Sequence, residues 1–271
     1  MTGGVHAFPR LISAEHRKEF ARDVLKTGIA ELDLLFGGGL ERGSSILIVG
    51  PAGTGKSLLT LTFVQSAIKR GERAGMFVFD EELGLLFDRA KGLGIDLQAM
   101  VDAQQLVIEQ VDAAELTPGE FSERVRRCVE IYKAQTVIID SLNGYEAAMP
   151  GEQQLILHIH ELLQYLNRRG ATTFLTVAQH GLVGDMKTPV AVTYLADTVV
   201  LLRYFEMMGC MRRAISVVKK RTGPHEDTIR EFHIGGRGIT LGDPLTNLQG
   251  VLRGVPSLVE NGPARVKEED A

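Results

Sequence analysis

The chain has 271 residues, 44% apolar and 24% charged, enough to bury a core without disulfides or a metal. Its net charge of −4 gives no overall basic field for nucleic acid, and no apolar run approaches the roughly 20 residues of a membrane span. Cys128 and Cys210 lack metal-ligand spacing, and MTGGVHAFPR lacks the apolar centre of a signal peptide, so a cytoplasmic protein with reduced thiols is expected.

Residues 1–25 carry mixed charge and no strand pattern, and read as an extension or linker with one short helix. From Thr27 onward, Gly28, Gly37-Gly38-Gly39 and Gly43 punctuate a loop-rich lead-in. Ser45–Gly50 (SILIVG) reads as a buried strand, followed by a glycine-rich turn and a helix over 56–70. Strands at 76–79, 106–111, 136–140 and 173–177 then alternate with helices at 83–93, 118–133 and 152–169. Pro118 sits at a helix start, where its missing N–H costs nothing. Leu155, Ile159, Leu162, Leu163 and Leu166 fall on one helical face and predict a buried stripe. Such alternation predicts an α/β fold with a mostly parallel central sheet flanked by helices. After Asp197, strands at 198–204, 214–220, 229–234 and 238–241 with short turns predict an antiparallel extension of the C-terminal sheet edge. Residues 26–256 thus form one domain, and the polar 257–271 segment, ending in Lys-Glu-Glu-Asp-Ala, reads as a disordered acidic tail.

Gly50-Pro51-Ala52-Gly53-Thr54-Gly55-Lys56-Ser57 satisfies the Walker A pattern and lies between a predicted strand and a predicted helix. Glycines let the backbone wrap a phosphate chain. The N–H groups of the loop and first helical turn, through Leu58, point at the anion. Lys56 suits the β- and γ-phosphates of ATP, and the Ser57 hydroxyl suits Mg²⁺. Asp140 ends the strand TVIID at the same sheet edge and is the second candidate Mg²⁺ ligand; a helix cap is the structural alternative. The run Asp80-Glu81-Glu82 follows the strand MFVF, where a carboxylate could take a proton from attacking water. Glu81 is preferred and Asp80 is second, although acids also gather at helix starts through the dipole. His158 and His160 are two apart on a helix and make a poor metal pair.

Taken together these residues resemble the KaiC family, a branch of the RecA-like P-loop ATPases. Thr27-Gly28-Ile29-Ala30-Glu31-Leu32-Asp33 and Gly37-Gly38-Gly39-Leu40-Glu41-Arg42-Gly43 match the family's lead-in to the phosphate loop. Asp80-Glu81 falls where the family carries paired acids. The spacing from there to Leu93-Gly94-Ile95-Asp96-Leu97 favours Glu81 over Glu82. Ala196-Asp197-Thr198, Arg203-Tyr204-Phe205-Glu206, Arg213-Ala214-Ile215-Ser216-Val217 and Ile229-Arg230-Glu231-Phe232 are similar to the autokinase half of the two-module circadian clock protein. The resemblance implies that Lys219 and Arg221 reach a neighbouring subunit's ATP across the interface of a hexameric ring. It also implies that Gln179, after the strand TFLTV, senses the γ-phosphate, with His180 an ordinary loop histidine. The clock protein's adjacent Ser and Thr phosphate acceptors fall at Thr193 and Tyr194, so a two-site phosphorylation cycle is not implied.

Three functions follow as expectations. One is a Mg²⁺-dependent ring ATPase whose nucleotide state controls an unidentified signalling partner. Another is an autokinase that modifies Thr193 or a nearby hydroxyl. The third is a nucleotide-gated scaffold with little turnover. A DNA strand-exchange ATPase would share the core fold, but the chain offers no basic arm or zinc ribbon for it.

Overall fold

The computed structural model describes residues 19–259 except 80, 148, 150, 180, 182–192 and 237. The elements run β1 (Val24–Leu25), α1 (Ala30–Leu35), β2 (Leu40–Glu41), β3 (Ser45–Gly50), α2 (Lys56–Lys69), β4 (Arg73–Val78), α3 (Leu83–Lys91), α4 (Leu97–Asp102) and β5 (Leu106–Gln110). They continue as α5 (Pro118–Glu130), β6 (Ala134–Asp140), α6 (Leu142–Ala147), α7 (Glu152–Arg168), β7 (Thr172–Ala178), β8 (Thr198–Met207) and β9 (Cys210–Lys220). The last are β10 (Arg230–Gly235), β11 (Gly238–Pro244), β12 (Leu248–Gln249), a 3-10 turn (Val251–Arg253) and β13 (Ser257–Leu258).

Nine strands form the central sheet in the order β11-β10-β9-β8-β3-β7-β6-β4-β5. From β8 to β5 every neighbour is parallel, and β9, β10 and β11 add an antiparallel flank. The sheet is therefore α/β and mostly parallel, with a C-terminal antiparallel extension. That extension begins one strand later than the turn spacing predicts, because β8 joins β3 in parallel with Ile46 opposite Thr198.

The strands of the parallel part read as continuous apolar runs because helices cover both faces. All six residues of β3 are buried. One face packs α2 through Leu58, Leu59, Leu61, Phe63 and Val64, together with Phe232 and Ile239 of the flank. The other packs α5, α6 and α7, and the α7 stripe Leu155, Ile159, Leu162, Leu163 and Leu166 is buried throughout. Thr117 caps α5 by accepting from the Glu120 N–H, with Pro118 at its first position.

The strands β8 and β9 form a hairpin that extends past the end of β3. It turns at Met208 and Gly209, whose φ values of 51° and 71° are those of a type I′ turn. Two short pairings bracket the domain: β1 with β2, and β12 with β13.

Candidate nucleotide site

The phosphate loop leaves β3 at Gly50 and becomes α2 at Lys56. Gly50 has no room for a side chain, since a Cβ there would lie 2.5 Å from the Leu202 carbonyl oxygen on β8. Gly55 caps α2 with a φ of 104°, and a Cβ would sit 2.4 Å from Ile234 Cδ1. Both positions therefore require glycine for conformation or close approach. Pro51 and Thr54 are buried, with the Thr54 hydroxyl donating 2.8 Å to the Pro51 carbonyl, whereas Ala52 and Gly53 are exposed. No acid occupies the first turn of α2, so its positive end is left for an outside anion. Ser57 is half-buried in this turn. Leu58 places its side chain in the core, which leaves its backbone N–H as the part suited to phosphate.

Lys56 is the buried cation of the site, 8% exposed. Its Nζ donates 2.9 Å to the Gly50 carbonyl and 2.8 Å to the Pro51 carbonyl. Burial lowers its pKa from 10.5 to about 8, opposed by the negative charge of Asp140. Asp140 ends β6, two strands from β3, and is also 8% exposed. The Thr176 hydroxyl, on the intervening strand β7, donates 2.5 Å to Asp140 Oδ1. Lysine, helix N-terminus, serine and carboxylate thus meet at the C-terminal edge of the parallel sheet. This donor set fits a nucleotide triphosphate with Mg²⁺. Among the described residues no group of three or more His, Cys, Asp or Glu could hold a metal on its own.

The acidic run follows β4, whose Val78 pairs with Asp140, and the Phe79 N–H donates 2.8 Å to the Asp140 carbonyl. Glu82 is spent as the cap of α3, accepting from the Gly84 and Leu85 N–H groups at 2.9 and 3.0 Å. Glu81 is ion-paired with Arg89 at 2.7 Å. Asp80 and His180 lie outside the described residues. Gln179 is 9% exposed, and its N–H donates 3.1 Å to the Gly50 carbonyl, which ties the end of β7 to the start of the phosphate loop.

Lys219 and Arg221 stand elsewhere. Lys219 pairs with Val199 on β8, and its neighbour Lys220 with Thr198, itself opposite Ile46 near the start of β3. They therefore occupy the opposite end of the sheet from Gly50, about 13 Å along the strands at ~3.3 Å per residue. The Lys219 Nζ donates to the Thr193 and Ala196 carbonyls at 3.2 and 2.8 Å, and Arg221 Nη2 to the Tyr194 carbonyl at 2.7 Å. Desolvation and the charge of Arg221 lower the pKa of Lys219. Alternation turns Lys220 the other way, where it is buried against Glu41 and the Phe36 and Gly39 carbonyls.

Two polar residues were missed in the sequence. Thr176 is a hydroxyl inside an apolar strand one position inside Val177, a pattern that could have marked it. Asn143 clasps the end of β7: its Oδ1 accepts from the Ala178 N–H at 2.6 Å and its Nδ2 donates to the Ala178 carbonyl at 3.1 Å. Nothing local in Leu142-Asn143-Gly144-Tyr145 announces that contact.

A Walker A loop, a strand-end aspartate and this sheet order define a RecA-like P-loop nucleotide-binding module. A family model described as "ATPase: KaiC" matches residues 25–246, and the chain belongs to the KaiC ATPase family. It is 30% identical over 248 residues to a protein named "Circadian clock protein KaiC3" from Synechocystis sp., an alignment covering 90% of this chain and 49% of that one. It is 28% identical over 260 residues to "Circadian clock oscillator protein KaiC" from Acaryochloris marina, covering 94% and 49%. The same holds for that protein from Prochlorococcus marinus, at 28% over 261 residues, covering 94% and 51%. The chain spans about half the length of these curated relatives, consistent with a single module. No helix among the described residues is long and apolar enough to cross a membrane.

Proposed function

We propose that this chain hydrolyses ATP with Mg²⁺ in a ring of its own copies, with each nucleotide held by one subunit and completed by the next. The observation that carries this reading is the placement of Lys219 and Arg221 at the sheet end opposite the chain's own phosphate loop. Those cations cannot serve the site on their own subunit, but a head-to-tail ring would set them against the neighbour's. Lys56 and the α2 N-terminus hold the phosphates, and Ser57 and Asp140 hold the metal. The Thr176 hydrogen bond to Oδ1 would hold the Asp140 carboxylate in place as a metal ligand. Mg²⁺, when bound, neutralises phosphate charge. Glu81 leaves Arg89 to accept a proton from water, Gln179 faces the γ-phosphate, and the neighbour's Lys219 and Arg221 stabilise the transferring phosphoryl. Domain bounds of 26–256, a hexameric ring and a signalling partner that reads the nucleotide state belong to the same proposal. The relatives' names assign a circadian-clock role to those proteins alone.

A second reading is favoured by one contact pair. Thr193 and Tyr194 are exposed, and their carbonyls are gripped by Lys219 and Arg221. Their hydroxyls therefore travel with the cations to the neighbour's site, where Thr193 could receive the phosphoryl group. Incubation with γ-labelled ATP and Mg²⁺ separates the readings. The expected result is label released as free phosphate, strongly reduced in Glu81→Gln and absent in Lys56→Ala. Label retained on the protein and lost in Thr193→Ala would instead make autophosphorylation the main reaction. Turnover unchanged in Lys56→Ala would overturn both.

A further inference from the structure

We infer that Asn143 is a positioning residue for Gln179, supplying a side-chain amide where the sheet runs out of backbone. The inference rests on the reading that Gln179 faces the γ-phosphate.

The pairing of β6 with β7 ends at Ile139 opposite Leu175, because β6 stops at Asp140 and the chain turns into α6 two residues later. On its other side, β7 stays paired with β3 as far as Ala178 opposite Gly50. Successive residues of a strand point their N–H and C=O groups to alternate sides. Gln179 donates its N–H toward β3, to the Gly50 carbonyl, so Ala178 directs both of its groups toward β6, where no strand remains. Asn143 stands in that gap. Its carboxamide has the donor and acceptor of a peptide group, and it makes by itself the two bonds that a continuing parallel β6 would have supplied from two different residues.

The consequence is local and directional. The peptide entering Gln179 is held from the α6 side and the Gln179 N–H from the phosphate-loop side, so the residue is fixed between the two halves of the site. Asp140, which starts the turn into α6, is fixed to the same strand through Thr176. Metal ligand, phosphate loop and Gln179 are thereby registered on one another through β7. Tyr145, two residues beyond Asn143, anchors α6 from the other face through His158 Nδ1 at 2.6 Å. Without the Asn143 amide, two half-buried backbone groups lose their partners and the end of β7 frays at the residue that must discriminate a γ-phosphate.

The test is a double-mutant cycle on ligand discrimination. Affinities for ATPγS and ADP, each with Mg²⁺, are measured on the full chain and on Asn143→Ala, Gln179→Ala and the double variant. ADP lacks the γ-phosphate, so its affinity reports the phosphate loop alone. The preference for ATPγS over ADP is expected to fall about tenfold in Asn143→Ala, as for sub-ångström misplacement of a site group. The same fall is expected in Gln179→Ala, with no further fall in the double variant and ADP affinity held in all four. Independent, multiplying losses, or an Asn143→Ala variant with full discrimination, would overturn the inference alone. A wild-type chain that binds neither nucleotide would overturn the reading of the site and this inference with it.

Discussion

Lys56 is the residue on which the site's electrostatics turn. It is buried against two carbonyls, with its proton affinity lowered to about pH 8 by desolvation. Between about 8 and the ordinary 10.5, the unfolded chain keeps a proton on Lys56 that the folded chain has released. Stability from this group therefore rises with pH across that window. Nucleotide binding has the opposite sign. A phosphate beside Nζ favours the charged form, so affinity for ATP is expected to weaken as pH rises through about 8, by up to roughly tenfold per pH unit. Fluorescence titration with a Mg²⁺–ATP analogue checks this: a flat profile across that range would mean that Lys56 stays fully charged. Asp140 shows the other half of the residue-scale logic. Its strand-end position was legible in TVIID, but its Thr176 partner depends on β7 lying between β6 and β3, and no local pattern encodes strand order.

Among the elements, α6 carries more of the site than its six residues suggest. It begins two residues after Asp140, holds β7 through Asn143, and is tied to α5 and α7 by a chain of buried polar groups. Tyr145 is fully buried and meets His158 Nδ1 at 2.6 Å, while Ser122 meets His158 Nε2 at 2.7 Å. Burial pushes the His158 pKa below 6.5, opposed by Glu161 on its own helix. The unfolded chain therefore takes up a proton first as pH falls, and stability contributed by His158 is lost below about 6.5. Tyr145→Phe leaves the buried Nδ1 without its partner and is expected to cost about 1–3 kcal/mol. Urea unfolding reads that cost, and an unchanged midpoint would show that the contact is energetically idle.

The long periodic elements were legible because their patterns are local. SILIVG, TVIID and the α7 stripe declare strand and helix by themselves, and the Walker A loop declares the phosphate site. Elements set by tertiary contacts were not: α1, α4 and α6 are six residues each, too short for periodicity to show. The β8–β9 turn was hidden for another reason. Its first left-handed residue is Met208 rather than the Asn or Asp that signals a type I′ hairpin, so the strands read shorter than they are.

At the scale of the whole molecule, the sheet separates two sets of residues that the proposed mechanism brings together across subunits. The C-terminal edge carries Lys56, Ser57, Asp140 and Gln179, while Lys219 and Arg221 stand at the other end. Such a division is a liability for a lone chain and a control for a ring, since turnover then requires assembly. The same arrangement explains why the acidic run and the phosphate loop could be grouped by their places after strands of the sequence, whereas the neighbour-facing role proposed for Lys219 and Arg221 came from the family resemblance alone. Adjacency across an interface leaves no trace in one chain's periodicity.

The most direct measurement mixes two inactive variants. Lys56→Ala lacks the phosphate cation, and Arg221→Ala lacks the neighbour-facing one. Each is expected to be nearly inactive alone. Co-assembled in equal amounts, about a quarter of the interfaces in a randomly assorted ring pair an intact phosphate loop with an intact arginine. ATP turnover should return to about that fraction of wild type. An Arg221→Ala variant that is fully active alone, or a mixture that stays at the level of the separate variants, would contradict a site shared between subunits.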